Sequence, residues 1–163
     1  MSSHLPIEPL NKIAFAPFGD VVETQGAEHF PINQGFAERF NNLAKVDVED
    51  QDGVTNIGIV EAKLRPQPIK LTLMERHPLG SQIFYPLQNE PWLVVVCSDP
   101  SDPTTYRAFR ASGSQGINYA KGVWHHPLLV LSEPSGFLVV DRKGQGSNLN
   151  EMSLADRQSI SLG

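Results

Sequence analysis

A single cysteine among 163 residues leaves no internal disulfide to brace the fold. That residue, Cys97, stands inside WLVVVCS, where a small buried hydrophobe is expected, and such usage suits a reducing, cytoplasmic compartment. Long apolar runs are missing as well. The longest, Trp92 to Cys97, falls far short of the ~20 mostly apolar residues of a membrane-spanning helix. The opening MSSHLPIEPLNK has no basic stretch followed by an apolar one, so no secretory leader is expected. Basic runs are also absent. The 13 Lys and Arg are scattered among 18 Asp and Glu, the formal net charge is -5, and nucleic acid is thereby excluded as an expected partner. A small anion has to be met by local arginines instead.

What is present in quantity is turn chemistry, with 13 glycines and 13 prolines. A helical bundle does not tolerate that many interruptions. Between them lie short runs rich in β-branched and aromatic residues: VTNIGIVEAKL, IKLTLMERH, QIFYPL, PWLVVVC, TYRAFRA, INYA, VWHHPLLVLS and GFLVVDR. This spacing predicts a mainly β sandwich or barrel. The length suits one domain, residues 1–163, with a sizeable core. Ahead of the strands a short helix is expected from Pro9 to Gly19, then a strand at Val21 to Glu23, a loop through Gly35 and a strand from Leu43 to Val48. After Asp141 the chain turns polar, and a loop with one short C-terminal helix near Ser153 to Gln158 is expected.

Of the five histidines, two are adjacent in GVWHHPLL, and the tripeptide His-Pro-Leu occurs both there and in MERHPLGSQ. In a strand, side chains alternate between faces, so Leu71, Leu73, Glu75 and His77 share one face while Arg76 lies on the other. His125 and His126 are separated by the same rule, and Pro127 favours an extended backbone at His126. An exposed polar face of an edge strand would equally explain Glu75 and His77 from spacing alone. Trp92 and Trp124 read as core or interface aromatics.

Glu75-x-His77-x4-Gln82 followed by Gly122-x-x-His125 resembles the two signature motifs of the cupin superfamily, His-x-His-x4-Glu and Gly-x-x-His. There Glu75 replaces the first histidine, Gln82 replaces the acid, and Ile69 occupies the upstream glycine position. A resemblance over nearly the whole chain is to the ureidoglycolate lyase family. It is carried by FGDVVET, INQG, ERHPLGSQIFYPL, YRAF, GINYAKGVWHHPL and VDRKG.

The resemblance implies a single-domain cupin-like β-barrel or jelly roll with short terminal helices, assembled as a homodimer. It also implies cleavage of ureidoglycolate to glyoxylate and urea. Such an elimination needs a base for the hydroxyl proton and an acid for the departing nitrogen, and Glu75, His77 and His125 are the candidate catalytic set. The same residues with Gln82 are the candidate metal ligands. A mixed shell of imidazole, carboxylate and amide suits several divalent ions, nickel being the one the resemblance names first. For the substrate carboxylate the candidates are Arg39, Arg107 and Arg142, and for the rest of the polar lining Asn33, Gln82, Asn118, Tyr119 and His126. Two rival readings stay open: a metal-dependent cupin isomerase or oxygenase acting on another small acid, and a non-catalytic cupin that binds a small anion.

Overall fold

The computed structural model describes residues 3–161, with the backbone alone at 3 and at 155–160. In chain order the N-terminal elements are β1 (Ser3–Leu5), β2 (Ile7–Pro9), α1 (Lys12–Phe15), β3 (Gly19–Val22), β4 (Glu28–Ile32) and β5 (Ala37–Asn41). There follow β6 (Val54–Ala62), β7 (Ile69–Arg76), β8 (Gln82–Pro86), β9 (Trp92–Cys97) and β10 (Arg107–Ala111). The chain closes with β11 (Gly116–Tyr119), β12 (Trp124–His125), β13 (Leu129–Val130), β14 (Ser135–Lys143) and β15 (Asn150–Ile160). The large sheet runs β1-β15-β7-β12-β9-β10-β2, with β13 also on β9; the small sheet runs β3-β11-β8-β14-β6. Strands β4 and β5 pair with each other as a separate hairpin. The two main sheets face each other as a jelly-roll-type sandwich.

Strand β9 explains why one apolar run can sit at the centre. Trp92, Val94 and Val96 enter the cluster between the sheets with Phe15, Phe109, Ile117 and Phe137. Leu93, Val95 and Cys97 enter a second cluster, with Ile69, Leu71, Met74 and Leu129, on the opposite face. A strand buried on both faces has no use for polar alternation. Strand β14 has one face in the core, and its register with β8 sets Phe137 opposite Pro86 and Val139 opposite Phe84. The Trp92 and Phe137 rings meet edge to face with centroids 4.9 Å apart.

Cys97 is buried, as its sequence context predicts. Burial pushes its thiol up to about 12, against a smaller lowering from the Tyr106 hydroxyl. At pH 8 the thiolate is then roughly one part in ten thousand. Native protein is therefore expected to resist iodoacetamide at pH 8 while the denatured chain takes up one label, read by intact mass. Comparable labelling of both forms rules out this burial.

Four sequence expectations are corrected. The stretch expected as a loop through Gly35 holds strand β4, paired with β5. The C-terminal helix near Ser153 to Gln158 is instead strand β15, with an irregularity in its register between Ser153 and Gln158. The cause is the free edge of β7: β12 pairs with it at Glu75, whereas β15 runs beside it from Ile69 to Arg76. Backbone pairing over that length outweighs a weak local helix preference. The N-terminal helix begins at Lys12, where the Asn11 side chain accepts from the Ala14 N–H at 2.9 Å, and Pro9 belongs to β2. Leu43 to Val48 is irregular rather than a strand. Its backbone is held by a side chain and a loop: the Asp47 N–H donates to Ser81 Oγ at 2.8 Å, and the Ser81 N–H donates back to the Asp47 carbonyl.

Candidate active site

The short strand β12 is inserted between β7 and β9, and its register sets His125 directly opposite Glu75. Neighbours across a strand pair point to the same face. His125 Nε2 lies 3.4 Å from Glu75 Oε1, and the His77 and His125 ring centroids are 5.2 Å apart. One ligating atom from each of Glu75, His77 and His125 fits within 4.8 Å of the others. A turn fixes this meeting. Gly122 takes φ 80, a left-handed conformation that favours glycine, and its N–H donates to the His77 carbonyl at 2.9 Å.

The outer nitrogen of each imidazole is committed to backbone. His77 Nδ1–H donates to the Asn148 carbonyl at 2.9 Å, and His125 Nδ1–H donates to the Val123 carbonyl at 3.1 Å. A carbonyl only accepts, so in the neutral ring the lone pair sits on Nε2. Both Nε2 atoms are buried without a hydrogen-bond partner among the described residues. At 3.4 Å the His125–Glu75 contact is long for a hydrogen bond, yet that imidazole is the main reason the Glu75 carboxyl titrates below its ordinary range. Burial opposes the lowering, and His77 and His126 add to it.

The small sheet supplies the facing wall. Tyr119 stacks on His125 with ring centroids 4.0 Å apart and planes 10° from parallel. Burial, and secondarily the Glu75 charge, pushes its hydroxyl above the ordinary phenol value, so it stays protonated at neutral pH. Gln82 is the cross-strand partner of Tyr119 and shares its face. His126 is 2% exposed; its N–H donates to the Val95 carbonyl and its Nδ1–H to the Pro127 carbonyl at 2.7 Å. Burial lowers its pKa to about 4, so it is a neutral residue packed against the site.

The other sequence candidates stand elsewhere. Asn33 and Arg39 lie exposed on the β4–β5 hairpin, with Arg39 bonded to Asn41. Arg107 pairs with Glu8 and donates to the Ala14 carbonyl. Arg142 is buried, its guanidinium donating to the carbonyls of Asp50, Gln51 and Gln145. Asn118 alternates away from Tyr119 and lines a polar depression of about 280 Å³ with Asp20, Lys45, Asp47 and Lys121. Two contributors escaped the sequence reading. Asn148 anchors His77, and Asp141 holds the Gln82 amide; only long-range register reveals either.

The donor set fits a divalent ion. Two unpartnered imidazole Nε2 atoms and an ionised carboxylate converge, and each imidazole is oriented by a backbone carbonyl on its far nitrogen.

Comparison with known proteins agrees with the extent of the sequence resemblance. A family model described as ureidoglycolate lyase matches residues 2–161. The ureidoglycolate lyase of Burkholderia mallei (strain NCTC 10229) is 54% identical over 153 residues, covering 93% of this chain and 90% of that one. That of Pseudomonas syringae pv. tomato is 48% identical over 160 residues, covering 97% and 94%. That of Pseudomonas putida (strain W619) is 47% identical, covering 97% and 96%. Among solved structures, a mutant of Bacillus subtilis oxalate decarboxylase aligns with TM-score 0.38 at 10% identity, over 67% of this chain and 27% of that longer one. A family model spanning nearly every residue, joined by relatives at these identities over almost their full lengths, places the chain in the ureidoglycolate lyase family.

Proposed function

We propose that Glu75, His77 and His125 carry the family's reaction, elimination of urea from ureidoglycolate to leave glyoxylate. The observation that supports this reading most is the convergence of two unpartnered imidazole nitrogens on one carboxylate. In the substrate, one carbon bears the hydroxyl and the ureido nitrogen. The hydroxyl proton leaves, C=O forms as C–N breaks, and the departing nitrogen takes a proton, so no water is consumed.

His77 Nε2 can accept the hydroxyl proton and return it to nitrogen, with ionised Glu75 stabilising the imidazolium between the two steps. Ionised Glu75 would likewise stabilise a protonated His125, whose Nε2 lies 3.4 Å from its Oε1, and Tyr119 presents a neutral hydroxyl. Positioned acid–base groups of this kind contribute about 10²- to 10⁴-fold. If a divalent ion is held instead, His77, His125 and Glu75 would be its ligands, with nickel the first choice; a ligating His77 Nε2 no longer takes the proton, and Gln82 Oε1 is left to the substrate. When bound, such an ion supplies Lewis-acid stabilisation of negative charge on substrate oxygen.

Chelator-treated protein given fresh ureidoglycolate is expected to release urea and glyoxylate above a no-enzyme control, and more so with an added divalent ion. Urea release equal to the control under every metal condition sinks the lyase reading.

The proposal includes a single-domain, cytoplasmic chain working as a homodimer. No helix among the described residues is long and apolar enough to cross a membrane. The face of the small sheet turned away from the core exposes Ile57 (70%) and Ile59 (67%) on its edge strand, beside half-buried Ile83, Tyr85, Leu138 and Val140. A two-fold pairing sets this uncharged strip against itself, as an isologous interface requires. Light scattering is expected to give twice the chain mass for the wild type and the single mass for Ile57→Glu/Ile59→Glu. A monomeric wild type removes the dimer.

A further inference from the structure

We propose that Asp141 sets the orientation of Gln82 so that Gln82 Oε1 receives an N–H from the urea end of the substrate. This specificity role rests on the ureidoglycolate reading. Asp141 Oδ2 accepts from Gln82 Nε2 at 3.2 Å while Oδ1 accepts from Asn56 Nδ2 at 3.1 Å. An ionised carboxylate offers acceptors alone, so each amide must turn its nitrogen toward it. That requirement removes the usual ambiguity between amide oxygen and nitrogen. The Gln82 carbonyl therefore points away from Asp141, and it is buried without a donor among the described residues.

A buried carbonyl left unpaired is costly unless a ligand supplies the missing N–H. Gln82 lies across the β8–β11 pair from Tyr119, on the face where Tyr119 stacks on His125. The oxygen it presents is matched to one half of the substrate only. Urea carries N–H donors; glyoxylate has no N–H, and the aldehyde that the reaction releases carries acceptors only. Asp141 does not touch the substrate in this arrangement. It is a positioning residue, and Asn56 satisfies its second oxygen so that the first stays on Gln82.

The two products allow a selective test on the full-length enzyme. Initial rates of ureidoglycolate cleavage are measured with added urea or added glyoxylate, for the wild type, Gln82→Met, Asp141→Leu and Asp141→Asn. Gln82→Met and Asp141→Leu are expected to weaken urea inhibition by about tenfold, the effect of losing one hydrogen bond of ordinary strength, while glyoxylate inhibition stays within about twofold. Asp141→Asn can still offer one oxygen to Gln82 Nε2 but no longer compels that orientation, and is expected to fall between the wild type and Asp141→Leu. The proposal is overturned by equal weakening toward both products, by urea inhibition unchanged from the wild type, or by a wild type that urea does not inhibit. An Asp141→Asn enzyme as impaired as Asp141→Leu overturns it too. A wild type without turnover defeats the ureidoglycolate reading and this inference with it, whereas an active enzyme with unaltered urea inhibition defeats this inference alone.

Discussion

His125→Ala is expected to lower kcat by about 10²- to 10⁴-fold while the protein remains folded. Three contacts are lost together. The Nε2 atom 3.4 Å from Glu75 Oε1 goes, the face on which Tyr119 stacks goes, and so does the donor to the Val123 carbonyl. Without its main partner the Glu75 carboxyl moves back toward its ordinary range, so the variant is expected to lose more activity at mildly acidic than at neutral pH. Packing losses of this kind cost about 1–3 kcal/mol, a lowered melting temperature rather than a collapsed fold. Steady-state kinetics beside a thermal melt separates the two effects. Turnover near the wild-type rate would remove His125 from the site.

Glu75→Gln is expected to cost about 10²- to 10³-fold in kcat for a different reason, because shape is kept and only charge is removed. A neutral amide cannot stabilise an imidazolium at His77 or His125. The stability effect has a definite sign. The folded protein holds the Glu75 carboxyl below its ordinary value, so the ionised group contributes stability at neutral pH, and that contribution is lost as pH falls through the folded pKa. Wild type and Glu75→Gln are therefore expected to differ in thermal stability at neutral pH and to converge in acid. Activity within tenfold of the wild type, or a stability gap that widens on acidification, counts against this account.

The strands were legible because their signal is local. Strand β9 reads as a buried run, and the pairing of Glu75 with His77 follows from alternation along one short segment. The meeting with His125 was suggested by a motif, and its geometry comes from the insertion of β12 between β7 and β9. Other features depend on partners far away in sequence. The C-terminal segment has no strand-like pattern of its own and becomes β15 because β7 offers it an edge. The arginines show the same limit. Residue type marks Arg107 and Arg142 as anion binders, but Glu8 takes the first, and the backbone carbonyls of the 50–51 and 145 loops take the second. Asp141 reads as the last polar residue of an apolar run until the register of β14 against β8 brings it to Gln82.

The hydrogen bond from Gly122 to the His77 carbonyl also governs when the site comes into being. His77 follows β7 and Gly122 precedes β12, and all of β8, β9, β10 and β11 lie between them along the chain. Loop closure over that length is entropically unfavourable until the intervening strands have docked. A partly folded chain thus has strands but no assembled cluster of Glu75, His77 and His125. Return of urea release during refolding is then expected to follow the docking of β12 between β7 and β9, later than any signal from local hairpins.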